Sequence, residues 1–232
     1  MPPVNATGND GVWVVVPAYK EAARIQHTLE ELVQKFPNVI VVDDGSPDES
    51  GAIAGSCGVW VLRHPINRGQ GAALQTGLDF ALLKGATTIV TFDSDGQHDP
   101  ADIPAMLAPL AAGEADVALG SRFLGRTVGM PFSRWVILKL AVLFTRVVSR
   151  IQVTDTHNGL RAFTRAAAQA VRIRQDRMAH ASEILDEVRR LNLRYREVPV
   201  TIRYTAATLT KGQSSLNAAR VAWQFLMGKV VK

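Results

Sequence analysis

The sequence predicts an α/β fold: a mostly parallel sheet with helices on both faces. Three observations carry this. Short β-branched runs alternate with amphipathic helical patterns at the spacing of βαβ units, which cross over right-handed. Three of those runs end in polar clusters, at residues 17–21, 43–46 and 93–97. In open parallel sheets the ligand edge lies at the carboxyl ends of the strands, so all three clusters fall on that edge. Three unrelated acidic turns would have no reason to share it.

The elements follow in order. Residues 12–16 form a β-branched run that stops at Pro17, the pattern of a strand buried on both faces. Ile25, Leu29, Leu32, Val33 and Phe36 repeat at helical spacing until Pro37-Asn38 breaks the pattern. A second strand, residues 39–42, runs into Asp43-Asp44-Gly45-Ser46. Pro47-Asp48-Glu49-Ser50 opens a helix with acidic residues in its first turn, where the helix dipole favours them. Residues 59–62 are a third strand, and residues 67–73 lead into a helix that runs through Ala81 to Lys84. The fourth strand is the apolar run from Ile89 to Phe92. Then come a helix over 100–112, a strand over 115–119 ending in Gly120-Ser121-Arg122, and a long apolar helix over 131–151. Helices over 165–173 and 181–191, an alternating strand over 194–204, a polar loop over 205–215 and a helix over 216–231 complete the chain.

At 232 residues this is one large domain, 47% hydrophobic and 20% charged, with no internal repeat or linker. The lone Cys57 excludes an internal disulfide and suits a reducing compartment. The polar N-terminus does not resemble a signal peptide, and no run of 18 uncharged apolar residues predicts a membrane span. The expectation is a cytoplasmic protein. Net charge is +5, with arginines gathered beyond residue 120, which favours an anionic partner. That partner is not nucleic acid, because aromatics do not interleave the basic residues and no recognition motif is present.

The fourth strand delivers Asp93 and Asp95 to its tip. In extended chain, residues i and i+2 point to one face, so both carboxylates can reach one cation. Mg²⁺ is commonly held by one or two protein carboxylates while substrate phosphates and water complete the octahedron. Gln97 could add a carbonyl oxygen. A dehydrogenase is excluded, because no Gly-x-Gly-x-x-Gly follows the first strand.

Several short motifs now stand in sequence: Val-Pro-Ala-Tyr-Lys-Glu (16–21), Val-Asp-Asp-Gly-Ser-Pro-Asp (42–48), Asn-Arg-Gly-Gln-Gly-Ala-Ala (67–73), Asp-Ser-Asp-Gly-Gln-His-Asp-Pro (93–100), Gly-Ser-Arg (120–122) and Asp-Thr-His-Asn-Gly-Leu-Arg-Ala-Phe (155–163). Their order resembles that of family 2 glycosyltransferases, in the branch of dolichol-phosphate mannose synthases and bacterial polyprenyl-phosphate glycosyltransferases. The resemblance implies a single GT-A domain over 1–232, with a nucleotide-sugar half at about 10–120 and an acceptor half at about 121–232. It implies Mg²⁺ or Mn²⁺, a UDP- or GDP-sugar donor and inversion at the anomeric carbon. Carried over by motif, Pro17, Tyr19, Glu21 and Val42 line the nucleoside pocket and Asp44 contacts the base. Asp93 and Asp95, with Ser94 between them, hold metal and diphosphate, and Gln97 is a further metal ligand. Arg122 and Arg134 face phosphates, one on the acceptor side. Two departures stand out. Lys20 replaces the family's usual Asn. The C-terminal Gly-x-Ser-Lys motif becomes Lys211-Gly212-Gln213-Ser214-Ser215, so Arg203 or Lys211 would take the role of its final Lys.

The acceptor decides whether a base is needed. A sugar hydroxyl needs one. A lipid phosphate, whose second pKa is about 6, arrives ionised and needs cations to position it. The arginines beyond residue 120 fit a polyprenyl phosphate better than a lone carboxylate fits a hydroxyl. His98, His157 and His180 are the weaker alternatives as bases. A soluble glycan or protein acceptor, or a non-catalytic partner of a membrane protein, are the rival functions; the intact Asp-x-Asp speaks against the second. Two readings stand for the helix over 131–151: a membrane-surface helix with basic residues toward headgroups, or a core or self-association face. The expectation is a peripheral protein at the inner face of the membrane, recruited by the lipid surface or by a separate membrane subunit.

Overall fold

The computed structural model describes residues 9–204. Seven strands form one sheet: β1 (Val12–Ala18), β2 (Asn38–Asp43), β3 (Trp60–Arg63), β4 (Thr88–Thr91), β5 (Val117–Val128), β6 (Arg161–Thr164) and β7 (Tyr195–Arg203). Their order is β3-β2-β1-β4-β6-β5-β7. The pairs β1·β2, β1·β4, β2·β3 and β5·β7 are parallel, and β6 runs antiparallel to both neighbours. The mostly parallel sheet expected from the alternating pattern is therefore present.

The central strands β1, β2 and β4 are apolar on both faces, and helices cover both. On one side Val14, Val16, Val41, Val90 and Phe92 pack with Ile25, Leu29 and Leu32 of α1 (Ile25–Val33), Ala54 of α2 (Ser50–Ser56) and Ile103 and Met106 of α4 (Ile103–Ala111). On the other, Val15, Ile40, Val42, Ile89 and Phe163 pack with Leu74 and Leu78 of α3 (Gln70–Leu83), Ala167 of α6 (Arg165–Ala170) and Ile184, Leu185 and Val188 of α7 (His180–Arg190). Alternate residues of one strand thus feed opposite cores, as the pleat requires. Burying a side chain such as Phe92 or Phe163 stabilises the fold by about 1.5–3 kcal/mol. Gly77 lets α3 lie close on β1, since a Cβ there would meet Val15 Cγ1 at 2.2 Å.

Three elements differ from the sequence expectation. α2 begins only at Ser50, so Asp48 and Glu49 precede its first turn rather than occupy it. β5 does not stop at Leu119 but runs on to Val128, because β7 continues beside it across a bulge between Ser121 and Arg126. β6 was not anticipated as a strand at all. Its four residues, Arg-Ala-Phe-Thr, are too short and too polar at one end to show a period, yet they fill the seam between β4 and β5. The long apolar helix is α5 (Phe132–Val148), and the polar loop and helix expected beyond residue 204 lie outside the described residues.

Candidate active site

The tips of β1, β2 and β4 are tied into one rim by hydrogen bonds that the sequence clusters supply. The Ser94 hydroxyl donates to the Pro17 carbonyl at 2.9 Å, and the Thr28 hydroxyl reaches the Ser94 carbonyl at 3.4 Å. The Lys20 N–H donates to Ser46 Oγ at 3.1 Å and the Glu21 N–H to Ser50 Oγ at 2.8 Å. The structure therefore brings together the three clusters that share the predicted edge.

Asp93 is held on both oxygens. Gln70 Nε2, at the start of α3, donates to Oδ1 at 2.9 Å, and His98 Nε2 lies 3.2 Å from Oδ2. Burial would raise the Asp93 carboxyl, but the His98 hydrogen bond and the neighbouring positive groups hold it below the usual carboxylate range. Asp95 is in the opposite condition. Its Oδ1 accepts the Gln97 N–H at 3.0 Å. Burial, then the charge of Asp93, pushes its pKa up to about 6. Two carboxylates crowded at one strand tip are what a divalent cation relieves, and an all-oxygen donor pair suits a hard ion. Among the described residues no three His, Cys, Asp or Glu side chains converge as a complete metal cage. The pair therefore fits Mg²⁺ or Mn²⁺ whose remaining ligands come from substrate and water.

Gly159 makes this geometry possible. Its carbonyl accepts the Thr91 hydroxyl at 2.7 Å, and a Cβ on it would lie 2.0 Å from Asp93 Oδ2. Gly159→Ala should displace the Asp93 carboxylate and weaken Mn²⁺ binding by about tenfold or more, with the thermal midpoint changing far less. Electron paramagnetic resonance titration of Mn²⁺ reads this; parent-like affinity would show that Asp93 does not need its present position.

Other residues named from sequence find varied places. Tyr19 is exposed on the rim, with Lys20 Nζ 5.3 Å from its ring centre. Glu21 is nearly buried and pairs with Arg24 at 2.9 Å. Asp44 Oδ1 accepts the Arg68 N–H at 3.0 Å and faces His64 Nδ1 at 2.7 Å, while Oδ2 accepts the Gly69 N–H at 2.6 Å. It thus anchors the loop before α3. Val42 sits at the end of β2 with its side chain fully enclosed in the core with Val15, Ile40 and Leu74.

A second constellation is built around Arg122. Arg122 Nε donates to Asp155 Oδ2 at 2.6 Å, Nη1 to the Tyr204 hydroxyl at 2.6 Å, and Nη2 to the His157 carbonyl. Its side chain is 5% exposed and that of Asp155 1%. Burial would raise the Asp155 carboxyl, but the Arg122 guanidinium holds it low. Each of the three side-chain nitrogens of Arg122 thus makes one hydrogen bond inside the protein, three of its five N–H groups in all. Arg134, on α5, stacks over the Tyr204 ring at 5.0 Å and stays half-exposed. Arg203 pairs with Asp99 at 2.7 Å, and its N–H donates to the Gln97 carbonyl at 2.9 Å, so β7 pins the loop carrying Asp95. Lys211 lies outside the described residues.

The three histidines serve the structure. His98 is on Asp93. Burial drives both His157 and His180 down to about 4. Their neutral rings contact Thr156 Oγ1 at 2.8 Å and the Arg177 carbonyl at 2.8 Å respectively. Gln70, Asp155 and Tyr204 make these contacts, and Arg161 lies within electrostatic reach of Asp93 and Asp155, though the sequence singles out none of the four; Asp155 and Arg161 stand inside the quoted 155–163 motif without any feature that assigns their partners.

Comparison with known proteins places this geometry. The family model for glycosyl transferase family 2 matches residues 13–172. An uncharacterised protein of Methanocaldococcus jannaschii is 34% identical over 98% of this chain and 96% of its own length. A UDP-N-acetylglucosamine–dolichyl-phosphate N-acetylglucosaminyltransferase of Methanococcus voltae is 29% identical over 95% of this chain and 97% of its own. A polyprenol monophosphomannose synthase of Mycolicibacterium smegmatis is 31% identical over 90% of this chain and 82% of its own. In fold, the chain resembles glucosyl-3-phosphoglycerate synthase of Mycobacterium tuberculosis, solved with Mn²⁺ and UDP. The TM-score is 0.71 at 21% identity, covering 93% of this chain and 77% of that one.

Proposed function

The chain belongs to glycosyl transferase family 2, and from that premise we propose that it is an inverting, metal-dependent transferase that moves a sugar from a nucleotide-sugar to a polyprenyl phosphate. The observation that carries this is the crowded carboxylate pair Asp93–Asp95, tied to the β1 and β2 tips on the ligand edge of a GT-A sheet. Relatives over nearly the whole chain are named for dolichyl- and polyprenyl-phosphate acceptors, which supports the acceptor class.

The donor half, about residues 10–120, would seat a UDP- or GDP-sugar against Pro17, Tyr19, Glu21, Asp44 and Ser94. Asp93, Asp95 and Gln97 would hold Mg²⁺ or Mn²⁺, which supplies charge neutralisation for the leaving diphosphate. Arg134, half-exposed at the start of α5, would meet the acceptor phosphate. Arg122 acts one layer deeper: through Tyr204 it fixes the ring on which Arg134 rests. An acceptor phosphate oxygen bonds to the anomeric carbon as its bond to the diphosphate oxygen breaks, and the electron pair leaves with the nucleoside diphosphate. One in-line displacement inverts the centre. No base is required, because the nucleophile is already an anion. This agrees with the neutral state of His157 and His180.

Radiolabelled UDP- and GDP-sugars offered with a polyprenyl phosphate and Mn²⁺ should send label into the organic phase. Label that moves only to water or to soluble acceptors would overturn the lipid acceptor.

None of the described helices is long and apolar enough to cross a membrane. α5 nonetheless exposes Phe132, Leu140, Leu143 and Val147 along one stripe, with Lys139 near it. We place this stripe at the membrane surface of the cytoplasmic face. The chain should sediment with anionic liposomes containing prenyl phosphate at low salt and be released as salt rises. Recovery in the supernatant at low salt would reject the placement.

A further inference from the structure

Arg161 opens β6, opposite Thr91 of β4 and Leu119 of β5. Because β6 runs antiparallel, its first residue lies level with the end of β4, at the point where the chain leaves for Asp93. The side chain is 4% exposed. Among the described residues it makes one hydrogen bond, a long one, from Nη2 to the Ala181 carbonyl at 3.3 Å. A guanidinium has five N–H donors in a fixed fork. Buried polar groups are almost always partnered, and a buried charge without partners is costly.

The neighbouring groups do not meet that need. The two carboxylates that act on Arg161 electrostatically are Asp93 and Asp155. Asp93 is engaged by Gln70 and His98, and Asp155 by Arg122. Both nearby imidazoles, His157 and His180, are neutral. A positive charge with unused donors therefore lies between the metal-binding carboxylates and the Arg122–Tyr204–Arg134 column, at the edge where both substrates must meet. Its fork matches phosphate oxygens. Arg122 spends three of its five side-chain N–H groups on Asp155, Tyr204 and His157, whereas among the described residues Arg161 spends one.

We propose that Arg161 is a phosphate-binding residue of the cleft, its unused N–H groups donating to phosphoryl oxygens of a substrate. The identity of that substrate rests on the transferase reading above: the oxygens belong either to the donor diphosphate or to the acceptor phosphate.

Arg161→Met keeps the stem and removes the charge. Three probes separate the outcomes: Mn²⁺ alone, Mn²⁺ with pyrophosphate, and citronellyl phosphate as a soluble prenyl phosphate. The variant should fold, with a thermal midpoint near that of the parent, and should bind Mn²⁺ alone no more weakly than the parent does, since a positive charge near Asp93 is removed. One phosphate probe should bind about 10- to 100-fold more weakly, the loss of one or two charge-assisted hydrogen bonds. A loss confined to pyrophosphate assigns Arg161 to the donor; a loss confined to citronellyl phosphate assigns it to the acceptor. Parent-like binding of both overturns the proposal. If the methionine variant does not fold, Arg161→Lys, which keeps the charge but lacks the fork, should weaken the same probe by about fivefold or more, and parent-like binding there overturns the proposal equally. A parent chain that binds neither phosphate probe refutes the transferase reading itself, and this assignment falls with it.

Discussion

Asp95→Ala is expected to lower sugar transfer by about 10³-fold or more, because on the proposed mechanism the leaving diphosphate would lose the cation that neutralises it. Circular dichroism and the thermal midpoint should show an intact fold, since Asp95 accepts a single backbone hydrogen bond, from Gln97. Turnover within tenfold of the parent would remove the metal from the mechanism. Asp95→Asn gives a second measurement with a defined sign. The folded carboxyl, at about 6, lies above the ordinary aspartate value of 3.8, so the folded state loses stability as Asp95 ionises with rising pH. Without metal the asparagine variant should be the more stable chain above pH 6, and the gain should fade as pH falls toward 4. Saturating Mn²⁺ should reverse the order, because only the parent gains stability from the ion.

Arg122→Ala is expected to cost stability before it costs chemistry. It leaves Asp155, almost fully enclosed, without its counter-charge, and strips partners from the Tyr204 hydroxyl and the His157 carbonyl. Removing one member of such a buried pair costs about 3–5 kcal/mol. For a chain of this length that lowers the melting temperature by about 10 °C. The paired change Arg122→Met with Asp155→Leu should recover much of the loss, a non-additivity that a double-mutant cycle resolves. An Arg122→Ala chain that melts like the parent but has lost turnover would restore Arg122 to the phosphates, as the motif pattern suggested.

That contrast shows which parts of this protein are legible in its sequence. β1, β2 and β4 could be read because Val14–Val16, Val39–Val42 and Ile89–Phe92 are apolar on both faces and stop abruptly at acidic or proline tips. Asp93 and Asp95 could be read because two carboxylates at a strand end have few other uses. Arg122 could be read as important but not as internal. Its residue type fits a phosphate and a buried carboxylate equally well, and only the fold reveals Asp155 at 2.6 Å. β6 stayed hidden for a related reason. An arginine opens it, so hydropathy argues against a central strand. The neighbours that make the strand necessary, β4 and β5, lie far away in sequence. The motif names Val42 for a pocket, and the pleat turns its side chain into the α3 core, so any lining by this residue is by its backbone. Periodicity finds elements, and local chemistry finds ligands for ions. Pairings between distant segments leave little local trace.

The placement of β6 also bears on how the chain matures. During synthesis, β4 is complete by Thr91, but the strand that covers its far side begins at Arg161. Over the intervening stretch the β4 backbone has an unpaired edge, of the kind that invites wrong pairings. Long-range closure of this sort is slow, because entropy is lost well before contacts compensate it. The centre of the sheet, where Thr91, Asp93, Gly159 and Arg161 meet, is thus among the last seams to zip. Nascent chains stalled between β5 and β6 should be the species most prone to aggregate and most dependent on chaperones.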